Sequence, residues 1–257
     1  METEYAVGVQ TLVFQHRTLE GLLSDLAETG IDTVDLWDGH LSADDDEETV
    51  AAAEEALAAA GVSVCGYGVV DVAEPESVRD HVAFADRLGA SYLAVNYPPD
   101  RDDVTEALVE AAEAFGVDVA VHNYSSVHHD DLSTVFSSID DVRAVLDRYD
   151  DPRLGVCLDT GHFLVEDVAP EDAVRELGDR IVAVHLKDTS DDEREDLPGA
   201  GRLDLPSLVG LLDDHAHLTA PLVIEYELPA DRAVEALREA ETNVRAAAEA
   251  GDADSSR

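Results

Sequence analysis

Apolar residues in this chain come in short runs, and helical patterns fill the spaces between them. Eight runs cover approximately Ala6–Gln10, Thr33–Trp37, Ser63–Tyr67, Tyr92–Asn96, Asp118–Asn123, Leu154–Asp159, Ile181–Leu186 and Leu222–Tyr226. Short, branched, nearly continuous apolar runs predict strands buried on both faces, as in a parallel sheet. The intervening periodicity predicts helices over Thr18–Glu28, Glu47–Ala60, Pro75–Leu88, Asp102–Phe115, Asp140–Tyr149, Pro170–Leu177, Leu205–His215 and Asp231–Ala250. The first puts Leu19, Leu22, Leu23 and Leu26 on one face, with Gly30 beyond its end. Several others open on Asp or Pro, which suit a first helical turn.

Strict alternation of strand and helix implies a parallel sheet, and eight such units favour closure into a (β/α)8 barrel. An open Rossmann sheet would want a Gly-x-Gly-x-x-Gly turn after an early strand, and the sequence has none. The 257 residues are close to the length of one such barrel, and composition does not break along the chain. The expectation is one α/β domain over residues 1–250, with 251–257 as a frayed tail.

Side-chain parity supports closure, because alternate residues of a strand face opposite sides. In the fifth run Val119 and Val121 oppose Ala120 and His122. In the sixth, Val156 and Leu158 oppose Cys157 and Asp159. In the seventh, Val182 and Val184 oppose Ala183 and His185, and in the eighth Leu222 and Ile224 oppose Val223 and Glu225. Most branched residues therefore pack outward on helices, and the polar strand ends point into the lumen. By the same parity Lys187 follows His185 inward, and Gln10, Asp35, Trp37, Tyr67 and Asn96 reach the same rim.

Three of these runs stop on a residue that binds metals: Leu154-Gly-Val-Cys-Leu-Asp159, Ile181-Val-Ala-Val-His185 and Pro221-Leu-Val-Ile-Glu225. The carboxyl ends of barrel strands form the catalytic face. Asp159, His185 and Glu225 converging there predict a mixed oxygen and nitrogen site for a divalent ion such as Mn²⁺, Mg²⁺, Co²⁺ or Zn²⁺. His162 lies three residues beyond Asp159; the intervening Gly permits a tight turn that folds the imidazole back over the strand end, to contact substrate or orient a ligand.

The chain carries 59 acidic and 16 basic residues, a formal net charge of −43. Such a surface repels nucleic acid and anionic membranes. It suits a protein adapted to high salt, where screening shortens repulsion to a few ångströms, and the cytoplasm of a salt-accumulating halophile is the natural setting. No apolar stretch reaches the ~18 residues of a membrane span, and the acidic N-terminus is unlike a signal peptide. Cys65 and Cys157 lie in apolar runs and read as buried thiols in a reducing compartment. Lys187 is the single lysine. Its place beside a candidate ligand, in a chain otherwise stripped of lysine, points to a functional role.

Several segments together resemble the xylose-isomerase-like TIM barrels: Leu158-Asp-Thr-Gly-His162, Val184-His-Leu-Lys-Asp188, Pro198-Gly-Ala-Gly201 before Leu203-Asp204, Ile224-Glu225 and Val34-Asp-Leu-Trp-Asp-Gly-His40. That superfamily contains sugar and sugar-phosphate isomerases, ketose 3-epimerases, inosose dehydratases and endonuclease IV-type repair enzymes. The resemblance implies a metal held by strands five to eight, with Asp159, His185 and Glu225 matching the last three. The strand-five position, a glutamate in ketose 3-epimerases, is His122 here, which either ligates or stays free as a base. The arginine of the 3-epimerases is displaced, with Arg194 as the candidate. Trp37 reads as a sugar-stacking wall. His40 and His16 sit just past strands two and one, where they could line the pocket; His128 and His129 read as a solvated loop.

The implied activity is isomerisation or epimerisation of a sugar, sugar phosphate or related polyol carbonyl compound through an enediolate. Glu225, or His122 if unligated, would take the proton, and Lys187 would stabilise the developing charge. A keto-inositol-type dehydratase on the same metal site is the alternative. An endonuclease IV-like phosphodiesterase would need more ligands and a basic surface, and a non-catalytic barrel would have lost its ligands. The expected partner is a sugar-like small molecule. Assembly stays open, a homo-oligomer included.

Overall fold

The computed structural model of the chain describes residues 5–190, 195–229 and 232–255. Eight parallel strands close into a barrel: β1 Val7–Gln10, β2 Thr33–Leu36, β3 Ser63–Asp71, β4 Tyr92–Asn96, β5 Asp118–His122, β6 Leu154–Asp159, β7 Ile181–Leu186 and β8 Leu222–Ile224. Closure is made by β1, which pairs with β8 on one side (Val7 with Leu222, Val9 with Ile224) and β2 on the other (Val9 with Val34, Gln10 with Asp35).

Helices cover the outside: α1 Leu19–Leu26, α2 Glu47–Ala60, α3 Pro75–Arg87, α4 Asp102–Phe115, α5 Ile139–Tyr149, α6 Thr160–Val165, α7 Pro170–Leu177, α8 Leu205–His215 and α9 Ala233–Ser255. Their starts follow local chemistry. Thr18, Asp46, Ser138 and Asp204 each accept a hydrogen bond from a first-turn backbone N–H, and Ser138 with Asp141 forms a full capping box. Each such cap is worth about 1 kcal/mol. α2 ends on Gly61 in the left-handed region, φ 71°.

The parity expectation holds at most positions, but register irregularities reverse it at two: Tyr67, expected at the rim, packs in the outer core against Phe84 of α3, and Val182, expected outward, packs on the lumen core. Val34, Val119, Val121, Val156, Leu158, Val184 and Ile224 belong to the large core between strands and helices. A separate small core of Tyr92, Ala94, Ala120, Cys157 and Ala183 fills the lumen. Small lumen residues leave room for polar side chains above them. Among the described residues no helix is long and apolar enough to cross a membrane.

Several element boundaries shift by a residue or two from the sequence expectation, and the following departures are larger or bear on the site. β3 runs past Tyr67 to Asp71, with a register irregularity against β4 between Tyr67 and Val70. β8 stops at Ile224, short of the expected Tyr226. The Thr160-Gly-His segment is not a tight turn but the start of α6, because Asp159 caps it by accepting from the His162 N–H at 2.8 Å. α9 continues to Ser255, beyond the boundary expected at Ala250.

Candidate active site

The candidate ligands stand where parity placed them. His122 ends β5, Asp159 ends β6, His185 is the penultimate residue of β7, and Glu225 directly follows β8. All are buried, and each offers a ligand atom such that these atoms lie within 4.8 Å of one another. His185 Nδ1 lies 2.7 Å from Glu225 Oε2, and His122 Nε2 lies 3.7 Å from Asp159 Oδ2.

The remaining atoms of these groups are occupied. Asn123 clamps the Asp159 backbone, donating to its carbonyl at 2.9 Å and accepting from its N–H at 2.8 Å. Asp159 Oδ1 caps α6, and His185 Nε2 donates to Asp35 Oδ2 at 2.9 Å. Left over are Asp159 Oδ2, His185 Nδ1, Glu225 Oε2 and both nitrogens of His122, buried with no hydrogen-bond partner. Orphaned buried polar atoms are costly. Here they converge, and a divalent cation is what such a set of lone pairs fits. The donor set is therefore compatible with the ion that the sequence suggested.

Electrostatics sharpen this. Burial, with the neighbouring His185 charge, holds His122 well below its ordinary pKa, and burial with Lys187 does the same to His162. Both are neutral imidazoles with lone pairs to offer. Burial pushes the Asp159 carboxyl up to about 7, against the pull of Lys187. Burial also opposes the Glu225 charge, but Lys187 and His185 outweigh it and hold that carboxyl well below its ordinary range. Lys187 Nζ lies 2.8 Å from Glu225 Oε1, 3.3 Å from Glu195 Oε1 and 3.9 Å from Asp159 Oδ2. Those carboxylates outweigh burial and keep it an ammonium.

A cavity of about 170 Å³ opens onto this cluster. At ~30 Å³ per water it holds about six waters, the bulk of a small metabolite. Lys187, Glu225 and His162 give it a polar side, and Leu12, Trp37, Val69 and Tyr124 an apolar one. His162 is oriented by Ser125 Oγ, 2.9 Å from Nδ1. Gly161 makes the approach to Lys187 feasible: a Cβ there would lie 2.5 Å from the Lys187 Cγ.

Not every candidate joins the cavity wall. His122 is in the cluster but does not line the cavity. His40 is not a lining residue either: its Nδ1 pairs with Thr11 Oγ1 at 3.1 Å and its Nε2 with the Phe14 carbonyl at 3.2 Å, while its ring props the edge of Trp37. His40 is thus better placed to support Trp37 than to touch substrate. Arg194 lies outside the described residues. His128, expected in a solvated loop, instead reaches the cavity rim, 3.6 Å from Glu195 and 3.8 Å from Glu227. Sequence reasoning missed Glu195, Glu227, Tyr124, Ser125 and Tyr92. Glu195 stands among Asp191, Asp192, Glu193 and Asp196, broken only by Arg194, so nothing marks one carboxylate; only the fold brings it back to Lys187.

Residues 23–249 match the xylose isomerase-like TIM barrel family. The chain belongs to that family. No curated protein matches the sequence. Among solved structures, a xylose isomerase domain protein from Alicyclobacillus acidocaldarius is 21% identical, with a TM-score of 0.74 over 95% of this chain and 99% of that one. A D-allulose 3-epimerase from Methylomonas sp. is 17% identical, with a TM-score of 0.69 over 97% and 98%. The probable 3-DHS dehydratase AsbF of petrobactin synthesis, from Bacillus anthracis, is 14% identical, with a TM-score of 0.71 over 93% and 99%. At these identities the likeness is one of fold.

Proposed function

We propose that this protein is a divalent-metal-dependent isomerase or epimerase of a small sugar-like carbonyl compound. The observation that carries the reading is the convergence of orphaned, buried lone pairs from His122, Asp159, His185 and Glu225 beside a small cavity. These four residues would hold the ion, Mn²⁺, Mg²⁺, Co²⁺ or Zn²⁺. When bound, it supplies Lewis-acid polarisation of a carbonyl oxygen and its neighbouring hydroxyl.

The chain's own groups do the rest. Glu225 lines the cavity and is held ionised, so it takes a proton from the carbon beside the carbonyl. The Lys187 ammonium stands 2.8 Å from that carboxylate and stabilises the enediolate oxygen as charge develops. His162, neutral and held by Ser125, hydrogen-bonds a substrate hydroxyl. Trp37, with Leu12, Val69 and Tyr124, offers a face for the sugar's C–H groups and excludes water. Return of the proton to the adjacent carbon completes isomerisation; return to the opposite face completes epimerisation. Arg194 is retained as a substrate-binding proposal from the sequence. The acidic composition supports a salt-rich cytoplasm as the setting and a sugar-like small molecule, not nucleic acid, as partner.

A dehydratase reading draws on one feature. Opposite Glu225 the fifth strand offers His122, set back from the cavity, where a second carboxylate would serve two-faced proton transfer. A single carboxylate beside an ammonium suits proton removal followed by protonation of a leaving hydroxyl.

The test joins metal and substrate. Metal analysis and a chelator-sensitive melting temperature come first: at a hundred times Kd a bound ion adds about 2.7 kcal/mol. A panel of ketoses, ketose phosphates and keto-inositols then separates the two reactions. Glu225→Gln should cost roughly 10²-fold or more in kcat; full activity with unchanged metal content would reject its role.

A further inference from the structure

Asp35 belongs to β2, which supplies no candidate ligand, yet it is fully buried at 0% exposure. Its Oδ2 accepts from His185 Nε2 at 2.9 Å across the lumen and from the Tyr92 hydroxyl at 2.6 Å. Tyr92 lies two strands away. Asp35, Gly66 and Tyr92 are register partners on β2, β3 and β4. Neighbouring strands are ~4.8 Å apart, so this row spans about 10 Å. The Tyr92 ring crosses that distance because the middle position is empty: a Cβ on Gly66 would lie 2.1 Å from the ring. Three residues on three strands thus build one acceptor and aim it at His185.

The consequence follows from hydrogen-bond bookkeeping. Asp35 Oδ2 already accepts from the Tyr92 hydroxyl and acts as the acceptor toward His185 as well, so the shared hydrogen sits on His185 Nε2. The other ring nitrogen, Nδ1, faces Glu225 Oε2 at 2.7 Å, and neither atom has a hydrogen-bond partner. At that distance a proton or a metal ion lies between the two atoms, and a bound ion takes the proton's place. In the opposite tautomer Nδ1–H would turn to Glu225 and block the approach of an ion.

We propose that Asp35, buttressed by Tyr92 over Gly66, is the positioning residue that fixes the His185 tautomer and presents its Nδ1 to the metal. This rests on the metal reading above. It assigns to a residue outside the ligand set a share of metal affinity, which is the general effect of a carboxylate behind a ligating histidine.

The experiment uses the full chain, stripped with chelator and held in molar KCl. Zn²⁺ binding is measured by calorimetry, and the ¹⁵N shifts of His185 are read in the Zn²⁺-loaded protein. Wild type should bind and show Nε2 protonated and Nδ1 coordinated. Asp35→Ala should bind about 10–100-fold more weakly, while Asp35→Asn, which keeps an acceptor oxygen, should recover part of that loss. Unchanged affinity in folded Asp35→Ala overturns the proposal and leaves the metal reading standing. Absence of Zn²⁺ binding by wild type overturns both. If Asp35→Ala does not fold, the wild-type spectrum decides: a His185 protonated on Nδ1 and coordinating through Nε2 overturns the assignment.

Discussion

Lys187→Met removes one charge from the centre of the barrel and keeps the unbranched stem that packs on Gly161. Exposed ion pairs contribute about 0–1 kcal/mol, whereas breaking a buried one costs about 3–5 kcal/mol. The buried regime applies here: Lys187 is 2% exposed, Glu225 4% and Asp159 0%. Loss of the ammonium leaves Glu225, Asp159 and Glu195 facing one another without their shared counter-charge. One process limits the cost. Asp159 is already pushed up to about 7 by burial, so without Lys187 it takes a proton near neutral pH. The expectation is therefore the lower end of the range, about 3 kcal/mol. For a chain of this size that is a melting-temperature loss of roughly 6–12 °C. Thermal unfolding by circular dichroism, in molar KCl with chelator present, measures it. Saturating Mn²⁺ should narrow the gap, because a divalent ion among the same carboxylates replaces the missing charge. A loss below about 1 kcal/mol would refute the reasoning, since it would mean that solvent already screens the ammonium.

Gly66→Ala should destabilise the barrel by about 1–3 kcal/mol, because the new methyl displaces the Tyr92 ring in a filled lumen; urea unfolding checks it, and a neutral effect would mean the ring is elsewhere. His128 should titrate above its ordinary value, since the Glu195 carboxylate raises it more than burial lowers it. A raised folded pKa stabilises fully below the unfolded value of ~6.5 and is lost as pH rises through the folded value. An NMR titration should therefore place His128 above ~6.5 and Glu195→Gln should bring it down; a His128 unaffected by Glu195→Gln would count against the rim contact. With 59 acidic and 16 basic residues, the chain should refold in molar KCl and fail to at ~10 mM, where repulsion reaches about 30 Å; full stability at low salt would exclude salt adaptation.

Some elements were legible to the residue. Tyr92–Asn96, Leu154–Asp159 and Ile181–Leu186 are strands with the expected limits, because each is an apolar run that gives way to polar residues at its carboxyl end. α2, α4, α7 and α8 likewise match, since boundary residues agree with the apolar period: Asp46 and Asp204 cap α2 and α8, Pro170 opens α7, and Gly61 and Gly116 end α2 and α4. α6 was not legible: six residues are too few to show a period, and it depends on the Asp159 side chain folding back. Nor was the route of β3, whose continuation past Gly68 accompanies a contact from Gln10 Nε2 to the Gly68 carbonyl at 2.6 Å, made by a strand distant in sequence.

The same division runs through the site. Alternation along one strand is a local property, so the chain by itself determined that His122, Asp159, His185 and Glu225 face one lumen. Sequence also determined the acidic surface and the isolation of Lys187. Only tertiary structure decided which lone pairs stay empty, that His40 turns its nitrogens to Thr11 and the Phe14 carbonyl, that Glu195 returns to Lys187, that Asp35 reaches His185 across the lumen, and that Tyr92 reaches Asp35 over the gap left by Gly66. Those outcomes depend on register between strands and on where loops come back. Both are set when the barrel closes, and neither has a signature within a single run of residues.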